Sequence, residues 1–579
     1  MKGTMDVYGG DARLHTEYVW IWVAHQLVPF ADKVLGIAGA MDNRPLFRAD
    51  WIYRLPFVAL ALLFPKRKDV VAVAHVVNIC FCVSYMPSVW DYMVWVMLTE
   101  SCYVAAVLFH GRNVDFMKRF FLPSVRALLV TLYFSAAFWK LTTSFLDERV
   151  SCANTLVAEL AAALFGESVP ADGGFARGLM VTSGAQIFII EFIVPVLLWA
   201  APRSAGVPVA LLFHQTINLM PVTYAGGFSI AMCVRMVLFA PGALIDASLT
   251  SDAGATAKAA ALLAVVAAAY QRAHRGAFDT AGTLFLILGF FHCKAALFDK
   301  MPAPSPVEKA KPLSRGLRAA SVFWGLFYGF GVPVLGLMGM ASSTMYGNVR
   351  QFDGVGGNHL MVPTGLLQKW HRDTAPRSFW GDAFGGGTVR LEHAGTNSSV
   401  FDELFFGADL SHDLPPHARA ILKDACIENQ GRYFEFYAAR NYFNRKGDHE
   451  ATALLNDKAD ELVSDVARLA VPSAFAMPAY EIRRALGLAK RRGEPFSVTF
   501  SHLETGLPTA WRLERPTADR VLTYSFDGAA GTCADAAGAP CGPDALPNLP
   551  PVPVWLTHLL HPYPVPLLEG IGDEVQCTT

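Results

Sequence analysis

Long apolar runs separated by short polar loops fill the first 345 residues, and the pattern changes after them. The runs cover 17–39, 51–65, 69–86, 89–109, 121–145, 179–201, 206–223, 227–245, 257–271, 278–297 and 319–341. A bilayer core of roughly 30 Å takes about 20 mostly apolar residues per helix. The pattern therefore predicts a polytopic transmembrane helical bundle of about 9–11 spans. Pro56, Pro195, Pro221 and Pro333 interrupt several runs, which suits half-spans packed against neighbours. Beyond residue 345 the periodicity is that of a soluble fold. Helical spacing recurs at 415–443, 450–470 and 478–491, the last closed by basic residues and Gly493. Strand-like runs lie at 496–502 and 520–526, and the proline-rich tail over 540–566 reads as extended chain. The expected fold class is mainly α. A multi-span membrane domain occupies 1–345, and a mixed α+β luminal or extracytoplasmic domain occupies 346–579.

Composition sharpens this division. Of 579 residues, 53% are hydrophobic and 17% charged, with a net charge of -1; an ordinary soluble domain carries about 25% charged residues. Residues 1–345 have a net charge of +6 and residues 346–579 a net charge of -7. So apolar a chain fits neither disorder nor nucleic-acid binding. The basic loops at 66–68, 112–119 and 298–318 fall on one side when eleven spans alternate, which makes that side cytoplasmic. The basic stretch 271–275 falls on the other side. The loop 146–178 and everything after 341 then face the lumen or exterior. Asn397-Ser398-Ser399 is the one glycosylation sequon of the chain, and Cys533 and Cys541 bracket a short loop suited to a disulfide. Cys80, Cys82, Cys102, Cys152, Cys233 and Cys293 lie in or beside spans and read as packing residues. No metal site is expected, because His558 and His561 lack partner ligands.

An ionisable group within a span is a functional candidate by default. Lys140 closes the run 121–145, Glu191 sits in the middle of 179–201, and His214 precedes Asn218 by one helical turn. Each has a structural alternative: Lys140 snorkels to the interface, Glu191 pairs inside the bundle, and His214 with Asn218 bonds across helices. Arg235 and Lys294 are the cations available to Glu191, whereas His25, His75 and His292 read as structural histidines. A desolvated lysine gives up its proton readily, so Lys140 is a candidate general base. A carboxylate beside it would hold the ammonium form, so the Lys140–Glu191 distance decides. The His214/Asn218 pair suits orientation or stabilisation of an oxyanion. No Ser-His-Asp, metal-binding or dinucleotide pattern is present.

With Tyr133-Phe134 leading to Lys140-Leu141, Glu191 followed by Pro195, Phe213-His214 with Asn218, and Phe228-Ser229-Ile230-Ala231-Met232, the sequence resembles the horizontally transferred transmembrane domain family, which includes vitamin K-dependent gamma-glutamyl carboxylases. The resemblance covers about 18–350. It implies Lys140 as the base acting on reduced vitamin K or another quinol, with oxygen and carbon dioxide as co-reactants. It places His214 and Asn218 beside the reaction, and Glu191, Trp139 and Phe213 around the substrate pocket. It also implies an endoplasmic-reticulum membrane and a luminal active site. The chain departs from the family where Trp90-Asp91-Tyr92 stands in place of a Trp-Asn-Asn-His run, so carboxylation of protein glutamate is not carried over.

Two readings stand side by side. One is a membrane enzyme acting on a quinol or related lipid through Lys140. The other is a non-catalytic lipid or small-molecule binding protein or transporter. Both have the bilayer as a partner, with a luminal protein as a further one, and neither involves nucleic acid.

Overall fold

The computed structural model describes residues 6–34, 53–86, 91–110, 117–146, 151–153, 156–157, 160, 174–219, 227–236, 238–239, 284–290, 312–338, 342–345, 347, 349, 358–366, 388–396, 474–492, 496–504, 520–527, 532–535, 538–540 and 565–567. Most of these are helical. In chain order the first helices are α1 (Asp6–Val34), α2 (Leu55–Leu63), α3 (Lys68–Tyr85) and α4 (Asp91–His110). A π-helical turn at Met117–Phe121 runs into α5 (Leu122–Trp139), and the short α6 (Thr143–Leu146) follows. Next come α7 (Gly174–Ala200), a π turn at Pro202–Gly206, α8 (Val207–Asn218) and α9 (Phe228–Met236). The last helices of this part are α10 (Pro312–Leu326) and α11 (Val332–Leu335), joined through the π turn Phe327–Gly331.

Among the described residues four helices are long and apolar enough to cross a membrane: Asp91–Phe109, Leu122–Trp139, Val181–Ala200 and Arg315–Leu335. α2 with 9 residues, α8 with 12 and α9 with 9 are each too short to do so alone. The expected run 257–271 lies outside the described residues, and 278–297 is described only at 284–290.

The four long helices divide by burial. α5 is the hub, 61% buried within the protein and packed against α4, α7 and α10, whereas the apolar windows in α7 and α10 are 28% buried. Their outward residues are large and apolar: Ile189, Ile193, Val196 and Trp199 on α7, Phe323 and Trp324 on α10. A soluble protein of this size rarely exposes so continuous an apolar surface.

Contact between α5 and the α10–α11 segment depends on small residues. A Cβ on Gly325 would stand 2.6 Å from Leu128 Cδ2, and one on Gly329 would stand 3.2 Å from Ser135 Cβ. The two glycines are four residues apart, the spacing that lets helices approach closely in lipid. Pro333 has no N–H to give the Gly329 carbonyl four residues earlier. Trp139 replaces that donor, its Nε1 bonding Gly329 O at 2.6 Å.

The C-terminal region contributes a six-stranded antiparallel sheet: β1 (Thr388–Thr396), β2 (Ala474–Pro478), β3 (Phe496–Glu504), β4 (Arg520–Asp527), β5 (Thr532–Asp535) and β6 (Val565–Leu567). Its spatial order is β5-β4-β3-β1-β2-β6, with a register shift in β1 between Leu391 and His393. The expected strands at 496–502 and 520–526 are β3 and β4. The expected helix at 478–491 is α12 (Ala479–Arg492), and the helical patterns at 415–443 and 450–470 lie outside the described residues. α12 docks on the bundle through Tyr480, whose hydroxyl donates to Leu337 O at 3.3 Å; burial pushes that phenol's pKa well above its usual range.

A close backbone contact ties the segment after α11 to α5. A Cβ on Gly347 would meet Trp139 O at 2.6 Å and Thr344 O at 2.7 Å, both immovable carbonyls. Gly316, exposed on α10, has nothing within 4 Å. Gly347→Ala is expected to cost about 1–3 kcal/mol, read as a lower melting temperature in detergent. Gly316→Ala is expected to leave stability unchanged or raise it by about 0.5–1 kcal/mol.

Candidate functional site

The site is assembled at the C-terminal end of α5. Lys140 caps that helix, where a cation complements the exposed carbonyls and the helix dipole. It does not snorkel: its side chain is 1% exposed, and Nζ lies 2.8 Å from Glu191 Oε2 on α7. Glu191 is itself 13% exposed. The contact with Oε2 lies off the hydrogen-bonding direction, leaving that oxygen without a directed donor. Lys140 Nζ makes its hydrogen bond to Met345 O instead, at 2.7 Å, and sits 5.7 Å from the Phe145 ring centroid. Met345 is the only non-glycine among the described residues with positive φ, at 32°. Such backbone strain persists where surrounding contacts enforce it, and it clusters at functional sites.

The polar end of α5 is covered by the segment 358–360. Thr142 pairs with His359 in an antiparallel bridge, Leu360 N donates to Leu141 O at 2.8 Å, and Thr143 N donates to Asn358 O at 3.0 Å. His359 Nδ1 accepts from the N–H groups of Met361 (3.1 Å) and Val362 (3.2 Å), so the proton sits on Nε2, which donates to Phe138 O at 2.8 Å. Its ring packs 4.5 Å from Phe138 and 4.9 Å from Trp139. Trp139 is fully buried, and its N–H is committed to Gly329.

His214 and Asn218 lie on α8, a separate element. His214 Nε2 accepts from Tyr133 Oη at 2.5 Å. Ser229 Oγ gives its hydrogen to His214 O at 3.1 Å, so His214 Nδ1 is left as donor to Ser229 Oγ, at 3.4 Å. Tyr133 precedes Lys140 by seven residues on α5, two helical turns or about 10 Å along the axis. The helix thus carries both groups on one side. Phe213 is half-buried with its ring 5.3 Å from His214, and Asn218 is half-buried at the end of α8.

A second polar cluster was not legible as such in the sequence. Glu100 on α4 is fully buried: Oε1 accepts from Trp22 Nε1 at 2.9 Å, and Oε2 accepts from Asn78 Nδ2 at 2.8 Å. Arg235 on α9 pairs with this carboxylate, Nη2 to Oε1 at 3.6 Å. The expected Arg235–Glu191 pairing is therefore replaced by Arg235–Glu100. His75, expected as an isolated structural histidine, lies 3.7 Å from the same oxygen. Arg54 extends the network, Nη1 bonding Asn78 Oδ1 at 2.6 Å and Gln26 Oε1 at 3.0 Å. Lys294, the other expected partner of Glu191, lies outside the described residues. The signal for this cluster was a charge in each of two apolar runs, at 100 and 235.

The cysteines divide by position. Cys80, Cys82, Cys102 and Cys233 are not disulfide-bonded. Cys152 and Cys533 are disulfide-bonded. Cys152 was expected as a packing residue, so its disulfide is a correction; its loop packs with Phe145 and Ile187 beside the Lys140 site. Asn397 and Cys541 lie outside the described residues. Among the described residues no group of three or more His, Cys, Asp or Glu is placed to hold a metal.

A family described as Domain of unknown function (DUF8388) matches residues 357–558, a segment that begins beyond α11 and contains β1 to β5 and α12. Comparison with curated proteins and with solved structures found no match.

Breaking a buried ion pair from one side typically costs about 3–5 kcal/mol. Glu191→Leu or Lys140→Met is therefore expected to lower the melting temperature, and the double variant Lys140→Met/Glu191→Leu to recover most of the loss. A double-mutant cycle showing simple additivity would remove the pair as a stabilising unit. His359 supplies a pH dependence. Burial disfavours the charged imidazolium and holds its pKa below the usual 6.5, against the bond to Phe138 O, which raises it; protonating Nδ1 would also end its two acceptor bonds. A lowered pKa means that the unfolded chain binds the proton more tightly. The stabilisation is thus complete above about pH 6.5 and is lost as pH falls towards the folded value. Amide exchange at Met361 and Val362, corrected for the intrinsic rate, is expected to accelerate over that range.

Proposed function

We propose that the chain is a multi-pass integral membrane protein whose Lys140–Glu191 pair takes a proton from a hydroquinone or a related lipid. The observation that carries this reading is a lysine–carboxylate pair buried at the end of a membrane-length helix, with only the carboxylate partly open. An aromatic lipid needs an apolar surface for its ring and a proton acceptor for its hydroxyl. Phe134, Phe188 and Phe192 form such a surface beside Glu191, with Phe134 and Phe192 each 41% exposed. These residues fit a quinol, which when bound supplies an acidic hydroxyl and a reducing ring.

The protein's part follows from charge. At 2.8 Å the two groups are close enough for each to stabilise the charge of the other. The pair as a whole accepts one proton, ending as an ammonium and a carboxylic acid. Glu191 takes that proton, and Lys140 holds the oxyanion it leaves behind. In this step Glu191 takes the role of base that the resemblance gives to Lys140, and Lys140 is its electrostatic partner.

The disulfides at Cys152 and Cys533, set against thiols without a disulfide at Cys80, Cys82, Cys102 and Cys233, support an oxidising compartment for the loop after α6 and for the C-terminal region. That is the luminal side of an endomembrane such as the endoplasmic reticulum. The second reading, a lipid-binding protein or transporter without chemistry, is favoured by the Met345 carbonyl, which with Glu191 already satisfies Lys140.

The test measures quinol consumption, epoxide formation and bicarbonate incorporation separately, in membranes carrying wild type, Lys140→Ala or Glu191→Gln. Proton-transfer groups typically contribute 10²–10⁴-fold, so either variant is expected to reduce turnover by about 100-fold or more. Quinol turnover indifferent to both substitutions would refute the proposal, and quinol binding without turnover would establish the second reading.

A further inference from the structure

The cluster around Glu100 holds more hydrogen-bond donors than the protein supplies acceptors. Arg235 uses Nε on Thr99 Oγ1 (3.1 Å) and Nη1 on Ala231 O (2.7 Å), whereas Nη2 has no hydrogen bond and stops 3.6 Å from Glu100 Oε1. Neither ring nitrogen of His75 is hydrogen-bonded, and Nδ1 stops 3.7 Å from the same oxygen. The Tyr18 hydroxyl also has no partner. Tyr18, His75 and Arg235 are all 0% exposed. Their rings and chains share one space: His75 lies 4.5 Å from Trp22 and 6.0 Å from Tyr18, measured between ring centroids.

Leaving several donors unpaired in an apolar interior is costly, and the chemistry of the space restricts what can satisfy them. An anion is repelled by Glu100. A metal cation is repelled by Arg235. An apolar ligand offers no acceptor. Water offers two lone pairs and two hydrogens, and buried water characteristically has two to four polar partners. We infer that exchangeable water is bound among Tyr18, His75, Arg235 and Glu100, making a hydrated centre inside the bundle, separate from the Lys140 site. Water accepts from Arg235 Nη2 and the Tyr18 hydroxyl and donates to Glu100 Oε1. Its second hydrogen goes to the acceptor ring nitrogen of His75, so that water bridges His75 and Glu100, whose direct separation is 3.7 Å.

Radiolytic hydroxyl-radical footprinting of the full chain in detergent or lipid tests this, because radicals generated from bound water oxidise the side chains touching it, however buried. Trp139 is the control, fully buried with its N–H bonded to Gly329 O. Oxidation of Tyr18, Trp22 and His75 well above Trp139, with ¹⁸O incorporated after mixing with H₂¹⁸O, is the expected result. Oxidation of all three at the Trp139 rate overturns the inference. Tyr18→Phe gives an independent sign. Removing a hydroxyl bonded to water lowers the melting temperature, whereas removing an orphaned one leaves it unchanged or raises it, and the latter outcome also overturns the inference.

Discussion

Burying Lys140 is possible only because other parts of the chain come to meet it, and much of the surrounding structure follows from that requirement. An ammonium taken out of water loses hydration that protein groups must replace. Glu191 supplies the opposite charge from α7, and Met345 supplies a carbonyl from beyond α11. The strained backbone at Met345 and the tight packing of Gly347 against the Trp139 carbonyl are consequences of delivering that oxygen. The end of α5 is then closed by His359, whose single tautomer satisfies one helix carbonyl and two loop amides at once.

The same demand for internal partners accounts for the surroundings of Pro195 and Pro333. Pro333 orphans the Gly329 carbonyl, which Trp139 satisfies from α5. Pro195 has no N–H for the carbonyl of Glu191 four residues earlier, so α7 is freed from one helical bond at the residue whose side chain meets Lys140. Glycine spacing at 325 and 329 then brings α10 close enough for the indole to reach. Sites of helix irregularity and sites of polar contact coincide because the first creates unsatisfied groups and the second consumes them.

Two charged centres therefore occupy one bundle with different characters. The Lys140–Glu191 pair lies at a helix end, roofed by a loop and bordered by exposed aromatic rings, which suits access by a lipid. The Glu100–Arg235 centre is enclosed by α1, α3, α4 and α9 and connects inward to Trp22 and Asn78. Partial exposure of Glu191 and its bordering rings separates the first centre from the second, which is fully enclosed.

Local pattern was enough to read the apolar helices, α12, and the strands β3 and β4, because hydrophobic periodicity and terminal residues are properties of neighbouring positions. It was also enough to single out Lys140, Glu191 and His214, since an ionisable group in an apolar run stands out without knowledge of the fold. Pairing was not legible. Glu191 answers Lys140 rather than Arg235, and Glu100, in the middle of its run, has its partner Arg235 on α9, 135 residues further along the chain. The disulfide at Cys152 was hidden for the same reason. Sequence by itself determined which groups would be expensive to bury. Only the tertiary structure decided which partners offset that cost, because those contacts join residues far apart in the chain and depend on helix crossings set by small residues and prolines elsewhere.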